Sequence, residues 1–292
     1  MEHALRETPL ISCALGCLLK LESLQRTGSF KLRGATAALR ALAAEGVTHV
    51  VAASAGNHGL GMACAGAALG IAVTVVVPET AVEKKRAGIV AYGAELIVDG
   101  AGYDDAERAA RRLAAQRGLV FVSPFDDEHV IAGNGGSLAE ELLRQRPTLR
   151  RVVVPVGGGG LAAGMLDLLA PRGIEVIGVQ PRGASAMARS LELGVAQLVD
   201  DGDTLCSGLD GGVAERTYAR AQKYALRIHL VEEAQVLPAI AYAYRVLGQA
   251  VEPASAVVIA AVLGGLAVDG ETVLVLTGGN LEPSLLDRSL LT

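Results

Sequence analysis

The sequence predicts an α/β fold made of two parallel-sheet, three-layer domains. Three observations carry this. Short runs rich in Val and Ile alternate with Ala- and Leu-rich segments of helical period along the 292 residues. Most of the runs are apolar throughout, the pattern of strands covered on both faces. Each is followed by a stretch long enough for a crossover helix back to a parallel neighbour.

Taken in order, HVVAAS (49–54), IAVTVVVP (71–78), AELIVD (94–99) and LVFVSP (119–124) read as four strands, each followed by a helical segment. RRVVVPV (150–156), EVIGVQ (175–180), LRIHLV (226–231) and ETVLVLT (271–277) repeat the grammar further on. Four strand and helix units already fill a domain of about 100 residues. The expected division is therefore a small domain over residues 32–131 and a large one over residues 1–31 plus 132–292. Neither an internal repeat nor a Pro/Ser-rich linker interrupts the chain, so the crossings between domains must be short.

Composition narrows the function. The net charge is −5, the 26 Lys and Arg residues are scattered, and there are six Tyr, three Phe and no Trp, a poor surface for nucleic acid or anionic lipid. The start, MEHALRETPL, lacks a signal-peptide pattern, and Gly, Pro or charge breaks every apolar run short of a membrane span. A cytoplasmic protein is expected. Cys13, Cys17, Cys64 and Cys206 form no Cys-x-x-Cys pair and have no His at zinc spacing, so no metal site is expected. Cys13 and Cys17 fit one helical face, as small buried thiols.

Ligands of such folds bind where loops leave the carboxyl ends of strands. Three loops in that position are rich in small residues and donors: SAGNHG (54–59), VGGGGLAAG (156–164) and TGGN (277–280). The four glycines have no side chains, so their amides can approach an anion closely, and the helix that follows adds its N-terminal dipole. The loop fits a phosphate, although a tight turn would use the same residues. It is not a P-loop, lacking Gly-Lys-Ser/Thr, and it fits a dinucleotide fold poorly, since the next strand ends in Gln180 with Glu175 at its start. SAGNHG offers the Ser54 hydroxyl, the Gly56 and Asn57 amides and the Asn57 side chain, which suit a carboxylate or a ring hydroxyl; a strand-to-helix turn with a cap is the plain alternative. Upstream, LQRTGSFKLRGA (24–35) sets Lys31 between Phe30 and Leu32, with Arg33 two positions on.

SFKLRGA, SAGNHG, GGGGL and TGGN, in this order and at these separations, resemble the fold type II pyridoxal-phosphate enzymes, and specifically the serine/threonine dehydratase group that includes serine racemase. The likeness runs from Thr8-Pro9-Leu10 nearly to the C-terminus. It implies a tryptophan synthase β-subunit-like architecture, a pyridoxal 5'-phosphate cofactor, a small amino-acid substrate and a homodimer or homotetramer. Lys31 is then the cofactor's covalent tether and the general base, and Phe30 packs on the cofactor ring. Gly157, Gly158, Gly159, Gly160 and Leu161 hold the phosphate, Asn57 the ring hydroxyl, and Thr277 faces the pyridine nitrogen. Ser54, Ala55, Gly56, Asn57 and Asn134 line the substrate. A lysine amine works as nucleophile and base only when its pKa is lowered, and burial beside Arg33 acts that way. The activity implied is an ammonia-lyase, converting an L-3-hydroxy amino acid of the threonine/serine class to a 2-oxo acid and ammonia.

Departures from the family pattern bear on the substrate. GNGG (133–136) stands where relatives carry Gly-Gln-Gly-Thr, so Asn134 replaces a substrate-facing glutamine, and Cys206-Ser207-Gly208 replaces Ala-Asp-Gly. The span between Thr8-Pro9-Leu10 and LKLESLQ is shorter than usual. Racemases of the group have a second serine where this chain has Ala55, and their divalent-metal site needs acids at Gln180 and Ala186. Neither racemisation nor a magnesium requirement is expected. The chain ends at residue 292, soon after Asn280, so the regulatory domain of isoleucine-inhibited dehydratases is not expected either. Glu252, in VEPASA, reads either as a helix cap or as a neighbour of the cofactor. The alternatives are a β-replacing synthase, a lyase for 3-hydroxyaspartate, phenylserine or diaminopropionate, or a racemase of the same fold. From another class, a non-catalytic α/β protein that binds a phosphate ligand would share the glycine loop.

Overall fold

The computed structural model describes residues 5–81, 83–198 and 203–291. The chain divides into two compact units: one is Lys31–Asn134 with the chain before Glu7, the other Glu7–Phe30 with Gly135 onward. Lys31, expected at the end of the larger domain, lies with the smaller unit. The reason is local: it is the first residue of the helix Lys31–Ala44, whose body packs on the helix Asn57–Leu69.

Among the described residues there are ten strands: β1 Leu10–Ser12, β2 Leu18–Leu21, β3 His49–Ala53, β4 Ala72–Val77, β5 Glu95–Val98, β6 Val120–Phe121, β7 Arg151–Pro155, β8 Glu175–Pro181, β9 Arg227–Val231 and β10 Thr272–Leu276. The smaller unit holds a four-stranded parallel sheet in the order β5-β4-β3-β6. The larger holds six strands in the order β1-β2-β10-β7-β8-β9, all parallel except the antiparallel pair β1 and β2.

Both sheets are covered on two faces, as the unbroken apolar runs require. Successive side chains of a strand point to opposite faces. In β7, Val152 and Val154 join one core cluster while Val153 joins another; in β10, Val273 and Val275 join the first, Leu274 and Leu276 the second. In the smaller unit Val50 and Ala52 face one cluster, Val51 and Ala53 the other.

The strand orders also locate the loops. In the smaller sheet the chain runs from β3 out to β4 and β5, then returns to place β6 on the other side of β3. In the larger, β8 and β9 lie on one side of β7 and β10 on the other. Crevices open at such reversals. SAGNHG leaves β3 at the first reversal, and the glycine loop and TGGN leave β7 and β10 on either side of the second.

Two features differ from the expectation. β1 and β2, which the apolar pattern does not mark, form a hairpin on the edge of the larger sheet. Cys13 and Cys17 sit across its turn and not on a helix: Cys13 N–H donates to the Cys17 carbonyl at 3.0 Å and the two sulfurs are 3.7 Å apart. Behind β2 lies a buried polar cluster. Lys20, fully buried, donates to Glu141, to the Thr8 carbonyl (2.7 Å) and to Gln145 Oε1 (2.7 Å), and the Thr8 hydroxyl donates to Glu22 Oε1 (2.5 Å). Thr8-Pro9-Leu10 thus anchors the start of the sheet to the helix Ser137–Gln145.

Candidate active site

The smaller unit brings Lys31 and the donor loop together through glycines. The helix Asn57–Leu69 carries Gly59 and Gly61 two residues apart. A Cβ on Gly59 would lie 2.3 Å from the Ser54 carbonyl oxygen, and one on Gly61 3.2 Å from the backbone of Lys31 and Leu32. Only glycine permits the first approach and the second is tight, so the helix sits directly on its own entry loop and on the first turn of the helix Lys31–Ala44. Lys31 is half-buried, and its Nζ donates to the Pro124 carbonyl at 2.9 Å, on the segment leaving β6. Arg33 is buried one turn inward.

In the donor loop the Gly56 amide donates to Ser54 Oγ at 3.1 Å. One of the two backbone donors expected there is thus directed inside the loop. The Ser54 hydroxyl accepts through a lone pair and keeps its own proton to give. Ala55 is half-buried against the core, and Asn57 opens the helix.

His58 is buried next to Lys31. Its Nε2 lies 3.2 Å from the Val122 carbonyl, and its Nδ1 has no hydrogen-bond partner. A carbonyl can only accept, so Nε2 carries the proton and Nδ1 is a bare acceptor. Burial and the neighbouring Lys31 ammonium lower its pKa from the ordinary 6.5 to about 3, against a smaller upward pull from the Val122 carbonyl. The unfolded chain takes up a proton here below about 6.5, and the folded one only near 3. This contribution to stability is therefore whole above about 6.5 and is lost as pH falls toward 3. His58→Gln, which keeps a donor for Val122, should flatten the acid side of a plot of urea midpoint against pH between 6.5 and 3. An unchanged slope would assign the acid loss to other groups.

Asn134 lies in a π-helical turn, Ala132–Gly136, a local distortion frequent at functional sites. It is buried, and its Oδ1 accepts the Gly34 N–H at 2.8 Å. Its carbonyl group holds the first turn of the Lys31 helix, a role the sequence does not suggest.

The larger unit carries the remaining residues. The glycine loop connects β7 to the helix Gly160–Leu169. Gly159 has φ +91°, in the left-handed region that favours glycine. A Cβ there would lie 2.7 Å from Met187 Cε and 2.9 Å from Thr217 Cβ, and one on Gly157 would lie 3.0 Å from Leu209 Cα. These neighbours form a wall behind the loop, and Leu209 follows the Cys206-Ser207-Gly208 segment. The first amides of the helix have no partner within it. Residues 157–161 therefore fit the phosphate of a cofactor, as a side-chain-free cradle backed by protein and opening onto a helix N-terminus.

At the end of β10, Thr277 is buried and its carbonyl accepts the Phe30 N–H at 3.0 Å; Ser29 bridges to Gly278. Phe30 is half-buried on the core of this unit. Glu252 precedes the helix Pro253–Leu263 but makes no side-chain cap. Its carboxylate lies instead against Gly278, where a Cβ would meet Oε1 at 2.2 Å. Of the two readings of Glu252, the cap is set aside. At the positions of the racemases' metal site, Gln180 is buried and its amide is bonded at both ends, donating to the Val156 carbonyl (3.1 Å) and accepting from Ala188 N–H (2.9 Å). Among the described residues no group of three or more His, Cys, Asp or Glu side chains is placed to hold a metal ion.

Comparison with known proteins bears on the chemistry. A family model described as pyridoxal-phosphate dependent enzyme matches residues 1–278. The chain is 40% identical over 276 residues to an L-threonine ammonia-lyase of Thermotoga maritima, covering 92% of this chain and 68% of the relative. Among solved structures it is similar to the processed threonine deaminase isoform 2 of Solanum lycopersicum, with a TM-score of 0.91, 32% identity and coverage of 98% and 88%. It is also similar to maize serine racemase, with a TM-score of 0.90, 26% identity and coverage of 98% and 92%.

Proposed function

Because the chain belongs to the pyridoxal-phosphate dependent enzymes, we propose that it is a threonine/serine ammonia-lyase that releases a 2-oxo acid and ammonia from an L-3-hydroxy amino acid. The observation that carries this is the junction at residue 31. An amine held on a neutral carbonyl, at the head of a helix packed on the helix that the donor loop opens, is the first residue after a strand-like segment tied to the TGGN loop.

Bound pyridoxal phosphate supplies an electron sink that acidifies the α-hydrogen of an attached amino acid. The larger unit holds it: Gly157 to Leu161 take the phosphate, Phe30 packs on the ring, and Thr277 meets the pyridine nitrogen with a hydroxyl. A hydroxyl does not favour a protonated pyridine as a carboxylate would, which suits elimination over slower carbanion chemistry. Lys31 is the tether and, once released, takes the α-proton at Nζ. The Ser54 hydroxyl and the Asn57 amide, joined by the Gly56 amide when it releases Ser54 Oγ, bind the substrate carboxylate and orient the α-hydrogen toward the base. The Asn57 side chain takes the ring hydroxyl. Asn134 keeps Gly34 on its Oδ1 and would meet the substrate with its Nδ2 donors. A cytoplasmic homo-oligomer is the setting we infer; no described helix is long and apolar enough to cross a membrane.

Borohydride treatment of the purified yellow protein, followed by peptide mapping, tests the tether. The mass of reduced cofactor should fall on Lys31, and a label elsewhere would overturn the assignment. Serine, threonine, 3-phenylserine, 3-hydroxyaspartate and diaminopropionate, scored for 2-oxo acid, rank the substrates.

Ala55 gives a second test. A racemase needs a proton donor on each face of the α-carbon, and at residue 55, where racemases of the group carry a serine, this chain offers only a methyl group. The enzyme should form little D-isomer, and Ala55→Ser should form a measurable amount, with elimination reduced but present. Chiral chromatography in D₂O reads this, since racemisation leaves deuterium on the α-carbon of recovered substrate. Abundant D-isomer from the unaltered enzyme would transfer the protein to the racemases.

A further inference from the structure

We propose that Gln180 and Thr217, neither of which reaches the anion, are positioning residues that set the orientation of the glycine loop by holding two of its carbonyls back. The inference rests on the reading of this loop as the phosphate cradle.

A trans peptide directs its C=O and N–H to opposite sides, and the described chain has no cis peptide bonds. The peptide joining Val156 to Gly157 has its carbonyl on Gln180 Nε2 at 3.1 Å. Its N–H, that of Gly157, therefore points away from Gln180. The peptide joining Gly158 to Gly159 has its carbonyl on the Thr217 hydroxyl at 2.7 Å, so the Gly159 N–H points away from Thr217. Between them the two side chains fix the directions of alternate amides of the loop.

Neither contact is incidental. Gln180 is fully buried, and its amide cannot flip without breaking two bonds, because Oε1 is taken by the Ala188 N–H in the first turn of the helix Ala186–Leu193. Thr217, 1% exposed, has a second acceptor, the Ala214 carbonyl at 2.9 Å. That carbonyl already accepts the Thr217 and Tyr218 amides at 3.1 and 2.9 Å. The single hydroxyl proton is thus better used by Gly158, at the shorter distance. Glycine is the residue least able to hold its own orientation, so a four-glycine loop needs such external anchors.

The test titrates the apoprotein with pyridoxal 5'-phosphate and with pyridoxal, which lacks the phosphate, and takes the ratio of the two Kd values. Thr217→Val, Gln180→Met and Gln180→Leu each remove the donor, while Thr217→Ser retains it. Each donor-less variant should weaken pyridoxal phosphate about 10-fold, the worth of one well-placed hydrogen bond, with pyridoxal affinity unchanged and with the ³¹P resonance of the bound phosphate moved. Thr217→Ser should match the unaltered protein in both. A folded donor-less variant that keeps the original ratio overturns the inference. So does failure of all three to fold while Thr217→Ser folds, which would make the role structural. If the unaltered apoprotein itself does not prefer the phosphorylated ligand, the cradle reading falls first.

Discussion

Lys31→Ala should abolish 2-oxo acid release, lowering kcat/KM by at least about 10³-fold, since a general base alone is worth 10²–10⁴ and Lys31 is also the tether. The fold should survive. Lys31 is half-buried, and its hydrogen bond to the Pro124 carbonyl, which truncation removes, is worth about 1 kcal/mol. Circular dichroism and a urea melt establish folding, and a coupled assay of the 2-oxo acid gives the rate. Substantial turnover by the folded variant would mean that another group carries the chemistry.

Lys20→Met should produce the largest loss of stability. Lys20 is fully buried and is bonded to Glu141, Gln145 and the Thr8 carbonyl. Its removal takes the Lys20 ammonium from the buried Glu141 carboxylate, which keeps the Thr8 N–H at 2.9 Å, and breaking a buried pair in this way costs about 3–5 kcal/mol. The urea midpoint should fall accordingly. Lys20→Met with Glu141→Leu should recover much of the loss, because an apolar replacement of both partners removes the stranded charge. A single variant as stable as the original, or a double variant worse than the single, would show that the ion pair is not what holds β2 to the helix Ser137–Gln145.

The larger features of the fold are legible because they depend on local pattern. Val152, Val153 and Val154 advertise a strand buried on both faces whatever lies against them, and the loops that follow β3, β7 and β10 stand out by their glycines. What the sequence hides depends on partners far along the chain. β1 and β2 are three and four residues long, too short to show a period, and β2 exists because β10 pairs with it. Asn134 reads as a substrate contact until Gly34, a hundred residues away, is seen to donate to it. Glu252 beside Pro253 has the signature of a cap, yet its carboxylate is taken up at Gly278. Gln180 and Thr217 carry no motif at all, since a side chain that fastens a backbone carbonyl can come from any residue with a donor. Such residues could be found from sequence only by asking what must hold a four-glycine loop still.

The division of the chain has a consequence for its synthesis. Apart from the few residues before Glu7, the smaller unit is one continuous stretch, Lys31–Asn134, with all four of its strands and their crossovers inside it. It can form as soon as that stretch has left the ribosome. The larger unit must wait, because β2, near the start, finds its parallel neighbour only in β10, at Thr272–Leu276. Closing so long a loop is slow and leaves an apolar strand edge open meanwhile. A pause in translation once Asn134 has cleared the ribosome should therefore leave a finished small unit on an unfinished sheet, a nascent form whose open strand edge invites aggregation.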